Sequence, residues 1–366
     1  MITTTEKPTI AEPPQAAGHI DLLGLSRERL EEVLAPVVDR PFRARQIYQS
    51  LYERAARDFA EMTDLPQELR ARLAERFRVG MPEVTSRHLA ADGTCKYLFR
   101  LADGATIEAV DIPDRGRRTF CISSQAGCAL ACSLCVTGYW GAGRNLTAGE
   151  IVGQVLAIRA DRGLPMAGLN IVLMGMGEPL LNLENVKAAL DLLTEWISPH
   201  RITLSTVGIL PGLEEMARWE RRPNLAISLH APDEERRGRI MPVNRTYPLV
   251  ELMATLRRYP LEKGRRLTFE YVLIRDFNDD VRDADQLSRL LSGLRAKINL
   301  IPINPDPVLG ERMVPPDDER IEAFKERLRQ RGWIATVRRR RGDDVGAACG
   351  QLRAFGREAR GFRGKA

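Results

Sequence analysis

The chain has 366 residues, 44% hydrophobic and 28% charged, with a formal net charge of +6. At about 150 residues per domain, that length predicts one large domain and a smaller one, with ample apolar content for a core. No apolar run approaches the ~18 residues of a membrane-spanning helix, and six cysteines in so long a chain exclude the disulfide framework of a small secreted protein.

Residues 1–18 are rich in Pro, Thr and Ala and lack a basic-then-apolar signal pattern. They are expected to be a disordered leader on a cytoplasmic protein. Helical periodicity covers 26–34, 44–57 and 67–78, and β-rich runs at 94–101 and 106–112 flank an Ala-Asp-Gly turn. Residues 19–112 thus read as a small N-terminal helical and β accessory domain.

From residue 113 the pattern becomes strand, loop, helix, repeated. Strand-like runs fall at 119–124, 170–174, 201–206, 225–229, 267–274, 298–301 and 333–338. Helical patterns lie between most of them, at 150–159, 184–196, 249–259, 284–294 and 319–331. Thr147 and Glu150 have the spacing of a capping box. Alternating βα units predict a parallel sheet with helical crossovers. The expected fold class is therefore α/β: a partial (β/α) TIM-like barrel over 113–352, with its active site at the C-terminal ends of the strands.

Residues able to do chemistry fall at those ends. Cys128, Cys132 and Cys135, spaced C-x3-C-x2-C, follow the first strand. A structural zinc site needs a fourth ligand, and His19, His88, His200 and His230 all lie away from this loop. An iron–sulfur cluster on three cysteines keeps one iron open to a substrate or cofactor. Gly175-Met176-Gly177-Glu178-Pro179 follows the second strand; alone, its glycines indicate only a turn. Ser205 closes the third, Ser228-Leu229-His230 ends the fourth, and Asn304 lies just past the sixth. Met174 suits either a pocket wall or the core, and His230 taken alone is more often structural.

The positive charge is concentrated at one end. Between residues 337 and 366, nine Arg and Lys face three acids, an excess equal to that of the whole protein. Such a cluster is the footprint of phosphate-backbone binding or, equally, a solvated basic tail that touches nothing; residues 353–366 are expected to form a basic C-terminal tail beyond the core.

The triad is the signature of radical S-adenosylmethionine (SAM) enzymes. Three blocks narrow the resemblance: Phe-Cys-Ile-Ser-Ser-Gln-Ala-Gly-Cys at 120–128, Gly-Met-Gly-Glu-Pro-Leu-Leu-Asn at 175–182 and Asp-Asp-Val-Gly-Ala-Ala-Cys-Gly-Gln-Leu at 343–352. In that order, over about residues 23–352, they resemble the RlmN-type radical SAM adenine C2 methyltransferases of 23S rRNA and tRNA. The resemblance implies one [4Fe–4S] cluster on Cys128, Cys132 and Cys135. It implies SAM, two consumed per methylation, bound by Gly177, Glu178, Ser205, Ser228, Leu229, His230 and Asn304, several through backbone atoms.

By the same resemblance, Cys349 first takes a methyl group from SAM, and that methyl, after losing a hydrogen, adds to the base. Cys121 then attacks Cys349 in a transient disulfide that releases the product, with Glu108 as proton acceptor. The partners implied are 23S rRNA, tRNA and a flavodoxin- or ferredoxin-type electron donor; a monomer is expected. Cys95 matches no functional position and reads as packing. Two alternatives remain: a Cfr-like adenine C8 methyltransferase, disfavoured by Pro179 and the Leu-Leu-Asn after it, and a zinc-stabilised, non-enzymatic RNA-binding factor, which leaves Cys121 and Cys349 unexplained.

Overall fold

Short runs rich in Leu, Ile and Val form the parallel strands at the centre of the molecule. The computed structural model describes residues 18–353 except Arg115, Arg312 and Arg339. The expected leader and basic tail lie outside the described residues, Gly18 and Arg353 apart. Strands β1 (Ile20–Asp21) and β2 (Phe77–Arg78) form a small parallel pair of their own. Strands β3 (Glu83–Leu89), β4 (Cys95–Arg100), β5 (Thr106–Asp114) and β6 (Arg117–Cys121) make an antiparallel meander.

Six further strands continue the same sheet: β7 (Leu169–Leu173), β8 (Ile202–Thr206), β9 (Asn224–Ser228), β10 (Leu267–Leu273), β11 (Ala296–Pro302) and β12 (Ala335–Val337). They follow β6 in chain order, each parallel to the last. Helices Ala148–Arg162, Leu183–Leu193, Leu210–Met216, Leu249–Arg258, Val281–Leu290 and Asp318–Gln330 form the crossovers. Among the described residues β12 is not hydrogen-bonded back to the meander, so the barrel is partial.

Burial follows from position in the sheet. Strand β10 lies between β9 and β11 and buries all seven residues; covered on both faces, it can run without polar alternation. Strands β7 and β8 alternate buried and half-buried positions instead. The capping box forms as expected: Glu150 N–H donates to Thr147 Oγ1 at 3.1 Å and Thr147 N–H to Glu150 Oε2 at 2.9 Å. Strand β3 and the seven-residue helices Leu210–Met216 and Glu234–Ile240 carry no sequence signal, one being a largely exposed polar edge and the others too short to show a period.

The N-terminal helices are Arg27–Leu34, Pro41–Tyr52 and Gln67–Ala74. The second begins earlier than its periodicity suggests, because proline suits the first helical turn. It also stops earlier, and Ala55 has a φ of 56°. The expected helix 67–78 ends at Ala74, and its last two residues become β2. This unit packs on the core through Tyr48, Tyr52 and Trp196, whose rings lie 4.5 to 6.3 Å apart, and Tyr48 O–H donates to Glu195 at 2.8 Å. A Cβ on Gly149 would come 2.2 Å from the Leu23 carbonyl, so only glycine permits this approach. Residues 83–112, grouped with these helices in the expected accessory unit, hydrogen-bond into the core sheet.

Candidate active site

The chain leaves β6 at Cys121 and crosses the barrel mouth as the triad loop. Its backbone is pinned: Cys128 N–H donates to the Gly141 carbonyl at 3.0 Å, Ser133 N–H to Ile240 at 3.0 Å and Gly138 N–H to Cys135 at 3.1 Å. Burial pushes the Cys128 thiol up to about 12 and that of Cys132 well above its ordinary value, with repulsion from Cys128 and Cys135 adding to the latter. Cys135 is raised by burial as well. Three half-buried, mutually repelling thiols ionise together most readily beside a cationic centre, the chemistry of a metal donor set. Among the described residues no three His, Cys, Asp or Glu side chains are placed to hold one metal ion. Three thiols on one loop are also the donor chemistry of an iron–sulfur cluster, in which each thiolate would bind its own iron.

The triad faces a cavity of about 160 Å³, also walled by Gly177, Glu178, Ser205, Ser228, His230, Asn304 and Cys349. Gly177 has a φ of 96°, and a Cβ there would lie 2.5 Å from that of Gln125. The glycine lets two loops touch at the mouth. Glu178 is clamped: Oε1 accepts the Leu180 N–H at 3.0 Å and Oε2 the Val207 N–H at 2.9 Å, while burial raises its carboxyl to about 7. His230 has a φ of 60°, and its Nδ1 accepts the Val272 N–H at 3.1 Å. Burial, then the Arg237 charge, lowers His230 to about 3, so the ring is neutral with its proton on Nε2. Two buried acceptors in the cavity wall, Asn304 Oδ1 and Glu270 Oε2, have no protein partner. A ligand bearing ammonium or hydroxyl donors would satisfy them, as SAM does.

Cys349 reaches this cavity from the far end of the chain. Asn304 Nδ2 donates to its carbonyl at 3.0 Å, Val136 N–H to the Gly350 carbonyl at 2.7 Å and Thr137 Oγ1 to the Leu352 carbonyl at 2.8 Å. Three of the expected site residues stand behind the wall. Leu229 is fully buried and its N–H is taken by the Glu270 carbonyl at 3.0 Å. Cys121 is 8% exposed; burial and the Cys349 charge raise its thiol to about 12, opposed by Arg338. Glu108, wholly buried on β5, pairs through Oε1 with Lys96 Nζ at 3.0 Å and accepts the Arg353 N–H on Oε2 at 2.8 Å. All six cysteines are free thiols.

Lys96, Glu270 and Arg338 were not singled out by sequence. Arg338 heads a four-arginine run, and only its place at the end of β12 hinted that it turns inward. Its Nη1 lies 3.6 Å from Met174 Sδ in the cavity wall. A second, open groove of about 1300 Å³ shares Arg338, Asn304 and Cys349 with the cavity and carries Arg117, Arg118, Arg340 and Arg341. The described part of the basic cluster is not a solvated tail: Arg341 pairs with Asp114 at 3.0 Å, Arg340 with Asp343 at 3.6 Å, and Arg353 with Asp306.

Residues 20–79 match the ribosomal RNA large subunit methyltransferase N-terminal domain, and residues 122–287 the radical SAM superfamily. The chain is 48% identical over 327 residues to the dual-specificity RNA methyltransferase RlmN of Syntrophobacter fumaroxidans, covering 88% of this chain and 95% of that one. It is 47% identical over 350 residues to the protein of the same name from Halorhodospira halophila, covering 94% and 96%. A solved radical SAM methyltransferase from Sphaerobacter thermophilus superposes with a TM-score of 0.86 at 46% identity, over 91% of this chain and 99% of that one.

Proposed function

The chain belongs to the RlmN family of radical SAM dual-specificity RNA methyltransferases, and on that premise we propose that it methylates C2 of an adenine in 23S rRNA and tRNA through an S-methylcysteine at Cys349. The observation that carries this reading is the placement of Cys349: Asn304 and Val136 hold its segment against the triad cavity. A [4Fe–4S] cluster on Cys128, Cys132 and Cys135 would supply the electron that splits SAM into methionine and a 5′-deoxyadenosyl radical.

The protein's own groups divide the remaining work. Asn304 and Glu270 offer SAM unsatisfied acceptors, and Glu178, clamped on both oxygens, sets the shape of the wall. Cys349 takes one methyl group by ordinary substitution and presents it to the base. C2 of adenine is an electron-poor amidine carbon, so a carbon radical adds where an electrophilic methyl group would not. The 5′-deoxyadenosyl radical would take one hydrogen from the Cys349 methyl group; after the carbon radical adds to C2, Glu108 takes the C2 proton and the unpaired electron would pass back to the cluster. Cys121 as thiolate then attacks the Cys349 sulfur, an S–S bond forms as the S–CH₂ bond breaks, and the released carbon takes up a proton to become the methyl group.

The RNA side is the arginine-bearing groove, which meets the cavity at Cys349. A base flipped from a loop would enter there while its phosphates meet Arg117, Arg118 and Arg340. Residues 19–112 would add further contacts as an accessory domain. A flavodoxin- or ferredoxin-type donor would reduce the cluster, the enzyme acting as a monomer in the cytoplasm, where thiols stay reduced. No helix among the described residues is long and apolar enough to cross a membrane.

Anaerobic purification with metal analysis and mass spectrometry of the Cys349 peptide tests this. Iron at about four per chain and a singly methylated Cys349 are expected; zinc with unmodified Cys349 overturns it. Digested RNA from a deletion strain should lack 2-methyladenosine. Loss of an 8-methyl base instead would favour the C8 reaction.

A further inference from the structure

Lys96 lies on β4 and Glu108 on β5. In the antiparallel register Leu98 faces Glu108, so Lys96, two residues away, shares its side of the sheet. Both side chains are buried, with Nζ 3.0 Å from Oε1. The same ammonium donates to the Gly346 carbonyl at 3.4 Å. The other oxygen of Glu108 accepts the Arg353 N–H at 2.8 Å. The pair thus grips the segment carrying Cys349 on both sides of that cysteine, three residues before it and four after.

We infer that Lys96 is a positioning residue of the methyl transfer: it keeps Glu108 as an oriented carboxylate and, through Gly346, ties that carboxylate to the segment bearing Cys349. A carboxylate sealed from water would otherwise take up a proton and could no longer serve as a base. Burial pushes Glu108 up, and Lys96 from β4 and Arg353 from the C-terminal segment are the charges that oppose it. The groups reaching it from the segments after β6 and β7 are uncharged: Ser123 Oγ, which donates to its carbonyl at 2.6 Å, and Met176 Sδ, 3.4 Å from its N–H. Once Glu108 holds the proton, its attraction for both Lys96 and the Arg353 N–H weakens. The grip on the Cys349 segment then loosens as Cys121 must reach the Cys349 sulfur.

The inference rests on Glu108 acting as the base, so the experiment separates the two. Reconstituted holoenzyme carrying Lys96→Met, Lys96→Arg or Glu108→Gln is assayed in single turnover on an RNA fragment from pH 6 to 9, with iron content and thermal unfolding checked. Lys96→Met should move the acid limb of the rate profile up by about one unit or more. Its rate near pH 7 should fall on the order of tenfold and recover at high pH, while Lys96→Arg keeps the native profile. Amide exchange over residues 343–353 should rise in Lys96→Met and not in Lys96→Arg. An unshifted profile in Lys96→Met, or the same loss in Lys96→Arg, overturns the role of Lys96 alone. A Glu108→Gln enzyme that turns over normally overturns the base assignment itself, and the inference with it.

Discussion

The side-chain amide of Asn304 donates to the carbonyl of Cys349 at 3.0 Å. This bond joins the loop after β11 to the last described segment of the chain, and it ties down the backbone of a residue that lines the cavity. In the proposed reaction Cys349 meets SAM, then RNA, then Cys121, and so needs a defined resting place on an otherwise irregular segment.

Asn304→Ala removes that anchor. One hydrogen bond contributes about 1 kcal/mol to stability, so the fold should survive. A misplaced nucleophile costs far more, and Cys349 methylation should slow on the order of 10- to 100-fold. Mass spectrometry of the Cys349 peptide over time after SAM addition measures it; an unchanged rate would contradict the role given to Asn304.

Substituting Cys121 should stall release. Cys121→Ala should leave RNA covalently bound to the enzyme, visible as a shifted band on a denaturing gel. The Arg338 charge opposes the raised pKa of Cys121, so Arg338→Gln should slow resolution of the same species on the order of tenfold. Clean release of product from Cys121→Ala would remove the assignment.

His230 sets a pH limit on stability. Its folded value of about 3 lies below the ordinary 6.5, so the unfolded chain binds the extra proton between those values. Its contribution is complete above pH 6.5 and is lost as pH falls, at about 1.4 kcal/mol per unit. Asparagine tolerates the positive φ and can accept the Val272 N–H, so His230→Asn should fold and lack this component. Urea unfolding at pH 7.5 and 5.5 should show a smaller difference in the variant than in the native protein.

Gly177→Ala should destabilise by about 2 kcal/mol or more, because the new methyl meets Gln125 in a left-handed backbone. Gly163→Ala is the control: its φ is also positive, at 61°, but nothing lies within 4 Å of the added atom. Thermal unfolding should show the larger loss at Gly177, and equal losses would mean that conformation rather than contact dominates.

Much of this was legible in the sequence because it is local. Three cysteines within eight residues, a capping box three residues apart and apolar runs of strand length each depend on neighbours along the chain. So the parallel core, the triad and the Gly-Met-Gly-Glu-Pro turn could be placed from the sequence, the family blocks gave Cys121 and Cys349 expected roles in a reaction, and the wider resemblance gave Glu108 one. Tertiary structure decided what depends on contacts between distant segments. It joined β3–β5 to the core sheet, turned Arg338 inward from an arginine run that reads as a tail, and set Lys96 against Glu108 beneath the segment carrying Cys349. Charge and periodicity say what a residue can do alone; whether a lysine faces water or a buried carboxylate is fixed by strand register and by burial, and neither is a property of the local chain.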